Sequence, residues 1–360
     1  MSIWRWADWI EPVAADARIT LGEGGTPLVR SRVIGPEVGL PRLYFKLESV
    51  SPTGSYKDRF AAAAVSEMVA SGKRLCVATS SGNTGAALAA YCAVAKIRCQ
   101  IAIVETAPAD KLRQMAAYGA ELFRVRGFGM DPEITPRVFE LLSARGARPD
   151  AQLHISAFRY SPVGMSGVQT ISYELSEQLP TAPDHVFTCA GGGGLTLAVA
   201  RGCRQLVATG KWDRAPRVEC VQPEGNATIA GPLRRGEDRA VAVRCSTAIS
   251  GLQVASVIDG DETLAACRES GGGGWLVSDE EVWRLQRRLA REEGVFCEPA
   301  SAVPLAGALR ARAEGKIADD AVVVCLVTGS GFKDAASVER MTAENPVPVV
   351  DWSTLPERLG

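Results

Sequence analysis

The sequence contains few of the residues that most often bind metal ions. Only 2 of its 360 residues are histidines, and its 10 cysteines never form a Cys-x-x-Cys pair. Most of these cysteines lie inside apolar runs, so we expect reduced, buried thiols and no metal site. His154 and His185 are too far apart in the chain to form a local ligand pair, and we expect a structural role for each.

Neither sign of charge dominates, and no long apolar run is present. Lysine plus arginine number 40 and aspartate plus glutamate 41, which gives a formal net charge of −1. This balance gives no reason to expect nucleic acid or a membrane as a partner, and no apolar run approaches the length of a membrane span. The first residues lack a basic segment followed by an apolar one, so we expect no secretory signal and a cytoplasmic protein.

Strand-like and helix-like segments alternate along the chain. Hydrophobic residues make up 46% of the chain, enough for a large buried core. The predicted strands cover residues 43–49, 74–80, 98–105, 121–125, 184–190, 217–222 and 321–331. The predicted helices cover residues 57–71, 83–95, 108–119, 167–179, 195–207 and 278–294, the last opened by a capping box. This order predicts two α/β lobes built on parallel sheets, with the site in the cleft between them.

A first glycine run, at residues 191–194, stands between a predicted strand and a predicted helix. Its backbone N–H groups and the positive end of the helix dipole could bind an anion. The run lacks the Walker lysine and the G-x-G-x-x-G spacing, which favours a phosphate monoester over a nucleotide. Tight turns of this kind are also common structural features. A second run, at residues 271–274, is more typical of a flexible connection.

Another turn surrounds a glycine with hydroxyl and amide side chains, namely Ser80, Ser81, Gly82, Asn83 and Thr84. Asparagine and serine are good N-caps, so a capped helix is one interpretation. Four such side chains exceed what one cap requires, however. They suit a carboxylate, which accepts several hydrogen bonds at the positive end of a helix.

A lysine and a threonine extend this set. Lys57 begins a predicted helix, and a desolvated lysine can attack an aldehyde to form a Schiff base, although most lysines are solvated surface residues. Thr328 follows the last apolar strand, at the edge where α/β sheets bind ligands. An amine, a phosphate site, a carboxylate site and a hydroxyl together fit pyridoxal phosphate with an amino-acid substrate.

Six motifs occur in order along the chain: LGEGGTPLV (21–29), FKLESVSPTGSYKDR (45–59), TSSGNTGAALAAY (79–91), AGGGGL (190–195), EGVFCEPASAVPLAG (293–307) and VTGSGFKD (327–334). Together they resemble the fold-type II pyridoxal-phosphate enzymes, the tryptophan-synthase-β-like group. The likeness is strongest to the threonine synthases, because GEGGTPL and the ending TGxGxKD favour that branch over cysteine synthases and dehydratases.

The resemblance implies a two-lobed α/β fold in which each lobe is a mostly parallel, twisted sheet with helices on both faces. It implies a large cofactor-binding lobe of residues 1–42 and 156–345. A smaller, mobile lobe would cover residues 43–155, and a tail would cover residues 346–360. It also leads us to expect a homodimer that acts on a small amino-acid substrate.

The resemblance further implies roles for single residues. Lys57 matches the lysine that binds the cofactor as a Schiff base and then moves protons, and Asn83 matches the partner of the cofactor ring hydroxyl. Thr328 matches the hydroxyl facing the pyridine nitrogen, which should favour elimination and replacement over transamination. The cofactor phosphate loop is matched by Gly191, Gly192, Gly193 and Gly194. The loop for the substrate carboxylate is matched by Ser80, Ser81, Gly82 and Thr84.

One segment departs from the threonine synthase pattern. Threonine synthases have a segment like N-P-x-R-x-E-G-x-K-T, whose asparagine and arginine help to hold the substrate phosphate. This chain reads SPVGMSGVQT there, with Ser161 and Gly164 at those two positions and Arg159 nearby. Loss of a bidentate arginine weakens phosphate binding. The loop GGGGL also looks more like that of dehydratases and racemases.

Two reactions are therefore expected as alternatives. The first is that of threonine synthase, from O-phospho-L-homoserine and water to L-threonine and phosphate. The second is β-elimination or β-replacement on serine, threonine, O-phosphoserine or a related amino acid, as in cysteate synthases, diaminopropionate-forming enzymes or serine/threonine dehydratases. A non-catalytic cofactor-binding protein is disfavoured, because Lys57, Asn83 and Thr328 are all present.

Overall fold

The structure is a computed structural model that describes residues 2–80, 82–107, 109–254, 256–345 and 347–359. Its strands are β1 Leu28–Arg30, β2 Leu43–Leu47, β3 Leu75–Thr79, β4 Arg98–Val104, β5 Glu121–Val125, β6 Ala151–His154, β7 His185–Cys189, β8 Arg217–Pro223, β9 Gly274–Val277 and β10 Val323–Val327. No described helix is long and apolar enough to cross a membrane.

The α-helices surround these strands. They are α1 Ile34–Glu37, α2 Lys57–Ala70, α3 Asn83–Ala95, α4 Ala109–Ala117, α5 Ile134–Gly146, α6 Pro162–Gln178, α7 Gly194–Ala208, α8 Ala230–Arg235, α9 Gly260–Glu269, α10 Asp279–Glu293, α11 Pro299–Ala313, α12 Ala335–Thr342 and α13 Leu355–Leu359. Short 3₁₀ turns cover Ile3–Trp6, Ala15–Ala17, Glu48–Val50, Glu224–Asn226, Gly331–Lys333 and Trp352–Thr354.

The strands form two sheets, as the sequence predicts. A six-stranded sheet has the order β1-β2-β10-β7-β8-β9, and a four-stranded sheet has the order β5-β4-β3-β6. Every pairing is parallel except that of β1 with β2. Helices join the parallel strands because a crossover must return the chain to the same end of the sheet. The predicted fold class, mixed α/β with two mostly parallel sheets, is confirmed.

The predicted division into lobes stays a prediction, but one strand lies in the other sheet. Residues 43–155 were assigned to the smaller lobe, whereas β2 pairs with β1 and β10 in the six-stranded sheet. The register joins Phe45 to Cys325, and Phe45 is almost fully buried there. Hydrogen bonds and core burial both hold β2 in the larger sheet, so the chain enters the smaller sheet only after it.

The second glycine run is packed tightly rather than being a flexible connection. A Cβ at Gly272 would lie 2.1 Å from the carbonyl oxygen of Val218, and a Cβ at Gly274 would lie 2.1 Å from that of Ala230. The backbone of this run therefore approaches β8 and α8 too closely for any side chain. The Gly273 N–H also donates to Glu219 Oε2 (2.6 Å). The prediction was wrong because a glycine run can provide either a flexible backbone or close backbone packing, and the sequence does not distinguish the two.

Helices α2 and α6 pack closely and fix the start of α2. A Cβ at Gly167 would lie 2.4 Å from the carbonyl oxygen of Arg59, so glycine allows the two backbones to approach. The buried Arg59 guanidinium pairs with Glu48 (2.7 Å) and Glu174 (2.6 Å). A buried charge is tolerated only with such complete pairing. The residue that begins α2, Lys57, is thereby held at a fixed place between the sheets.

The histidines and the cysteines are placed as predicted from the sequence. His185 Nδ1 lies 2.8 Å from Glu219 Oε1, and His154 Nδ1 lies 3.0 Å from Ser161 Oγ. Burial lowers the pKa of His154 to about 4, so it is neutral. All ten cysteines are free thiols, and all but Cys245 are buried.

Candidate active site

The amine of Lys57 lies at the N-terminus of α2, between hydroxyl groups from two segments. Its Nζ donates to Tyr56 Oη (2.5 Å) and to Ser156 Oγ (2.9 Å). Ser156 Oγ also lies 3.0 Å from Thr84 Oγ1, at the start of α3. The lysine is therefore linked to the turn that the sequence predicts for the substrate carboxylate.

The surroundings of Lys57 favour a neutral amine. Burial lowers its pKa to about 8, and the nearby Cys189, Glu298 and Asp259 act in the opposite direction. A neutral amine is the form that acts as a nucleophile and as a base. Burial also raises the pKa of Tyr56 well above its usual range, so its hydroxyl stays protonated beside the amine.

In the turn before α3, one polar side chain caps the helix, and part of the backbone faces open space. Ser80 Oγ accepts from the N–H groups of Gly82 (3.3 Å) and Gly85 (3.1 Å), so Ser80 caps the helix. A Cβ at Gly82 would meet no atom within 4 Å, which shows that this backbone faces open space. Ser81, predicted for the same loop, lies outside the described residues. An open, positive helix end suits a carboxylate.

Asn83 connects the two lobes through a buried carboxyl group. Its Nδ2 donates to Glu298 Oε1 (2.9 Å) and Oε2 (3.1 Å). Burial raises the pKa of Glu298. The sequence analysis gave Glu298 no role, although the residue lies inside one of the six motifs and directly before the proline that opens α11.

Thr328 lies at the carboxyl end of β10, as predicted, and its hydroxyl is buried. Its Oγ1 is 3.1 Å from Ser301 Oγ on α11, and Ser301 Oγ accepts from the Gly329 N–H (2.8 Å). The thiol of Cys189, at the end of the neighbouring strand β7, interacts with the same threonine. The Thr328 hydroxyl and the Cys189 thiol thus meet at these strand ends, beside the Glu298 carboxyl group.

The loop Gly191 to Gly194 has the properties of an anion site. Among the described residues, none accepts a hydrogen bond from the N–H groups of these four glycines. The loop leads directly into the 15-residue helix α7, whose dipole is positive at that end. Gly193 has φ +99°, and a Cβ there would lie 2.3 Å from Thr263 Oγ1, so only glycine fits. Ala190 separates the loop from Cys189, whose thiol is close enough to Lys57 to influence the pKa of its amine.

These residues fit pyridoxal phosphate. The unpaired N–H groups of the glycine loop suit its phosphate, and the partly desolvated amine of Lys57 suits its aldehyde. The Thr328 hydroxyl is neutral and would leave the ring nitrogen without a carboxylate partner. The structure brings together the predicted residues that it describes: Lys57, Ser80, Gly82, Asn83, Thr84, Gly191 to Gly194 and Thr328. Their individual roles remain predictions.

Sequence reasoning missed Tyr56 and Ser156 as well as Glu298. Tyr56 directly precedes Lys57 in the sequence. This adjacency at the start of a helix is the sequence feature that indicates a contact between the two side chains. Ser156 lies 99 positions after Lys57 in the chain. Nothing local in the sequence indicates that contact.

A cleft opens beside this site. A cavity of about 580 Å³ is lined by Gly82, Asn83 and Glu298, together with Lys111 and Lys333. Lys111 pairs with Asp334 (3.0 Å), and Lys333 donates to Gln114 (2.5 Å). These contacts join α4 to the segment after β10, so the cleft lies between the two predicted lobes.

The position of the missing arginine is filled by the neighbouring helix. A Cβ at Gly164 would lie 2.6 Å from Phe60 Cε2, and a longer side chain has no room in this direction. Phe60 is fully buried and meets His154 edge to face, with ring centroids 6.3 Å apart. Arg159, the nearby arginine, is exposed. Neither Gly164 nor Arg159 therefore supplies the arginine that the motif lacks, although Arg113 lines the cleft beside Gly82 and Asn83.

Comparison with known proteins places the chain in a family. Residues 19–329 match the family model described as "Pyridoxal-phosphate dependent enzyme". The chain belongs to this family. It is similar to threonine synthase of Methanocaldococcus jannaschii, at 32% identity over 97% of this chain and 84% of the relative. It is also similar to threonine synthase of Mycobacterium tuberculosis, at 35% identity over 97% and 93%.

A solved structure supports the same fold. The processed form of threonine deaminase isoform 2 from Solanum lycopersicum matches with a TM-score of 0.76 and 22% identity, over 96% of this chain and 94% of that one. As a family member, the chain is a pyridoxal-phosphate-dependent lyase of the threonine-synthase-like group. The cofactor and the family that the motifs predict are confirmed. The homodimer and the cytoplasmic location stay predictions.

Proposed function

We propose that this protein eliminates or replaces a side-chain group of an amino acid, and that O-phospho-L-homoserine is the first candidate substrate. Water would replace the phosphate, giving L-threonine and inorganic phosphate. The observation that supports this proposal most is that Ser156 contacts both Lys57 and Thr84 through its hydroxyl, while its carbonyl oxygen lies 3.1 Å from the position of a Cβ at Gly194. The relatives named threonine synthase favour this reaction, since they match over 97% of the chain.

Lys57 is the proposed catalytic residue. It would hold the cofactor covalently and, once released, its free amine would move protons at Cα and Cβ of the substrate. A pKa of about 8 leaves part of this amine neutral near pH 7. Tyr56 and Ser156 hold the amine in place through the two hydrogen bonds to Nζ. When bound, pyridoxal phosphate supplies a ring that stabilises negative charge at Cα.

The remaining residues would bind and orient. The N–H groups of residues 191–194 would receive the cofactor phosphate. Asn83 would face the cofactor ring hydroxyl, and Thr328 would face the pyridine nitrogen. The turn from Ser80 to Thr84, with Gly82 open to the cleft, would hold the substrate carboxylate. A neutral hydroxyl at Thr328 favours elimination and replacement, because it does not keep the ring nitrogen protonated.

A second candidate is β-elimination or β-replacement on serine, threonine, O-phosphoserine or a related amino acid. The close contact between Gly164 and Phe60 favours it, because the phosphate-binding arginine of the threonine synthase motif is replaced by an apolar helix contact. Serine and threonine, whose side chains carry no phosphate, would not need that arginine. Both candidates would use Lys57 to take the proton from Cα, but only the reaction of O-phospho-L-homoserine would also need it to move a proton at Cβ.

A substrate panel tests the proposal. The purified protein with pyridoxal phosphate is incubated with O-phospho-L-homoserine, O-phospho-L-serine, L-serine and L-threonine, and phosphate, threonine and α-keto acids are measured. Phosphate and threonine from O-phospho-L-homoserine support the first candidate. Keto acids from serine or threonine without threonine formation support the second.

Lys57→Ala serves as the control for every substrate. It should abolish turnover and also the yellow colour of the purified protein, which borohydride should bleach in the unaltered chain. A colourless protein that releases no product from any member of the panel contradicts both candidates. Turnover that survives in Lys57→Ala contradicts the role of Lys57 alone.

A further inference from the structure

Three cysteines that are far apart in the sequence meet inside the smaller sheet. Their Sγ atoms all lie within 4.8 Å of one another: Cys76 on β3, Cys92 on α3 and Cys99 on β4. Cys76 and Cys99 are direct partners in the parallel register, so their side chains share one face of the sheet. Cys92 reaches that face from the covering helix. Their exposures are 0%, 0% and 5%, respectively.

We propose that Cys76, Cys92 and Cys99 bind one thiophilic divalent metal ion of the zinc class through three thiolate sulfurs. Zinc–sulfur bonds are about 2.3 Å long, so tetrahedral ligands lie roughly 3.8 Å apart. Sulfurs already within 4.8 Å of one another need to move by about 1 Å at most to reach that spacing. Thiolates without oxygen ligands select zinc-class and other soft ions over magnesium or calcium.

A cavity beside the cluster would give the ion access from the surface and room for a water molecule as its fourth ligand. A cavity of about 270 Å³ is lined by two of the three cysteines, Cys92 and Cys99, and reaches the surface beside Lys96. A water molecule in this cavity would complete four-fold coordination, as in zinc sites with three protein ligands. The complex would carry one net negative charge, because three thiolates surround a divalent cation. The positive charge of Lys96 at the rim opposes part of it.

Binding is a proton exchange without electron transfer. Three metal–sulfur bonds form, and up to three thiol protons pass to the solvent. The fourth bond is to water. The site is separate from the proposed active site, but it joins the elements that carry it: β3 leads into Ser80, and α3 begins with Asn83 and Thr84. A bound ion would therefore stabilise the substrate-binding turn against unfolding.

The sequence analysis predicted no metal site, because the spacing of these cysteines matches no local metal motif. In the structure, the three ligands come from two parallel strands and the helix that connects them. Ligands placed in this way need not be close together in the sequence. A buried cysteine outside the cluster serves as a control for metal binding. Cys325 is as fully buried as the members of the cluster, but it lies on β10 in the larger sheet.

The test is a titration of the full-length, reduced protein with Cd²⁺ and, separately, Zn²⁺. We expect one ion per chain, with the thiolate-to-cadmium absorption band rising to that point and no further. Cys76→Ala and Cys99→Ala should each weaken binding by roughly tenfold or more, whereas Cys325→Ala should leave it unchanged. Circular dichroism checks that each variant is folded.

A second measurement needs no variant. The protein is alkylated with and without Zn²⁺, and the modified cysteines are mapped by mass spectrometry in mild denaturant. The ion should protect Cys76, Cys92 and Cys99 and leave Cys325 unprotected. Absence of one-to-one binding, or equal binding by Cys325→Ala and Cys76→Ala, or protection spread over all cysteines, overturns the proposal.

Discussion

Lys57 combines two properties that a proton-transferring lysine needs, a defined position and a lowered pKa. Two hydroxyl groups fix its amine, and burial lowers its pKa to about 8. A base acts only in its deprotonated form, so the neutral fraction of the amine sets the rate.

The rate of turnover should therefore rise with pH. Below about pH 8 the neutral fraction of Lys57 increases tenfold for each pH unit, and above that value it levels off. We expect kcat to follow this curve when it is measured from about pH 6 to about pH 10. A kcat that is constant over this range, or that falls as pH rises toward 8, would contradict the assignment of Lys57 as the base.

Tyr56 is the second residue whose role can be tested. Tyr56→Phe removes the hydroxyl 2.5 Å from Lys57 Nζ and keeps the ring. The amine loses one of its two fixed partners, so we expect kcat to fall by about tenfold or more, with KM changed much less. The position of the rise in the pH profile should also move. Tyr173→Phe, which alters a tyrosine near the N-terminal tryptophans, is the control and should change neither. An unaltered pH profile of kcat in Tyr56→Phe would contradict the role of Tyr56 in positioning the Lys57 amine.

At the scale of elements, the packing of α2 against α6 decides what can occupy the lost arginine position. A Cβ at Gly164 would meet the Phe60 ring at 2.6 Å and the Ala64 Cβ at 3.0 Å. Both neighbours belong to α2, which also carries Lys57 at its first position. Any side chain at Gly164 therefore either separates the helices or displaces the Phe60 ring.

Gly164→Ala should destabilise the protein despite the better helix propensity of alanine. Propensity favours the change by about 1 kcal/mol, whereas overpacking costs about 1–3 kcal/mol. We expect a net loss of about 1 kcal/mol in the free energy of unfolding, measured by urea denaturation. Phe60→Leu should relieve the contact, so the double variant should be more stable than the sum of the two single effects predicts. Strict additivity would show that the two residues do not compete for this space.

Elements with a strong hydrophobic period, such as α3, were predictable, whereas β6 and α5 were missed, as were β9 and α11, which contain glycine or proline. α3 begins and ends where its alanine-rich segment does, and the capping Ser278 accepts from the Glu281 N–H as predicted. β9 escaped prediction because it starts inside a glycine run. α11 escaped it because Pro299 and Pro304 interrupt the pattern, although the helix is continuous. Close backbone packing, which the sequence does not display, stabilises both.

The same limit applies to the site. The motif predicts roles for residues next to each other in a turn, such as Asn83 and Thr84, and these roles stay predictions. The contact of Ser156 with Lys57, and that of Glu298 with Asn83, join segments that only the folded sheets bring together. The three-cysteine cluster is a third case, because its members come from β3, α3 and β4.

At the scale of the whole molecule, one hydrophobic core joins the two sheets, and a few polar contacts bridge the mouth of the cleft. Lys111 on α4 pairs with Asp334, which caps α12, and also contacts Ser250. Lys333 donates to Gln114 on the same helix α4. Both lysines line the cleft. At the cleft mouth, the two sides thus meet through one ion pair and a few hydrogen bonds.

Lys111→Met should open the cleft while leaving the chemistry intact. The partly buried pair contributes about 1 kcal/mol, so we expect KM to rise about fivefold, with kcat changed by less than about twofold. Small-angle X-ray scattering should show a larger radius of gyration, and high salt should shift the unaltered protein in the same direction. Arg98→Met is the matched control, because Arg98 pairs with Glu121 within the smaller sheet and does not bridge the cleft. If Lys111→Met and Arg98→Met behave alike, the pair with Asp334 does not hold the mouth of the cleft together.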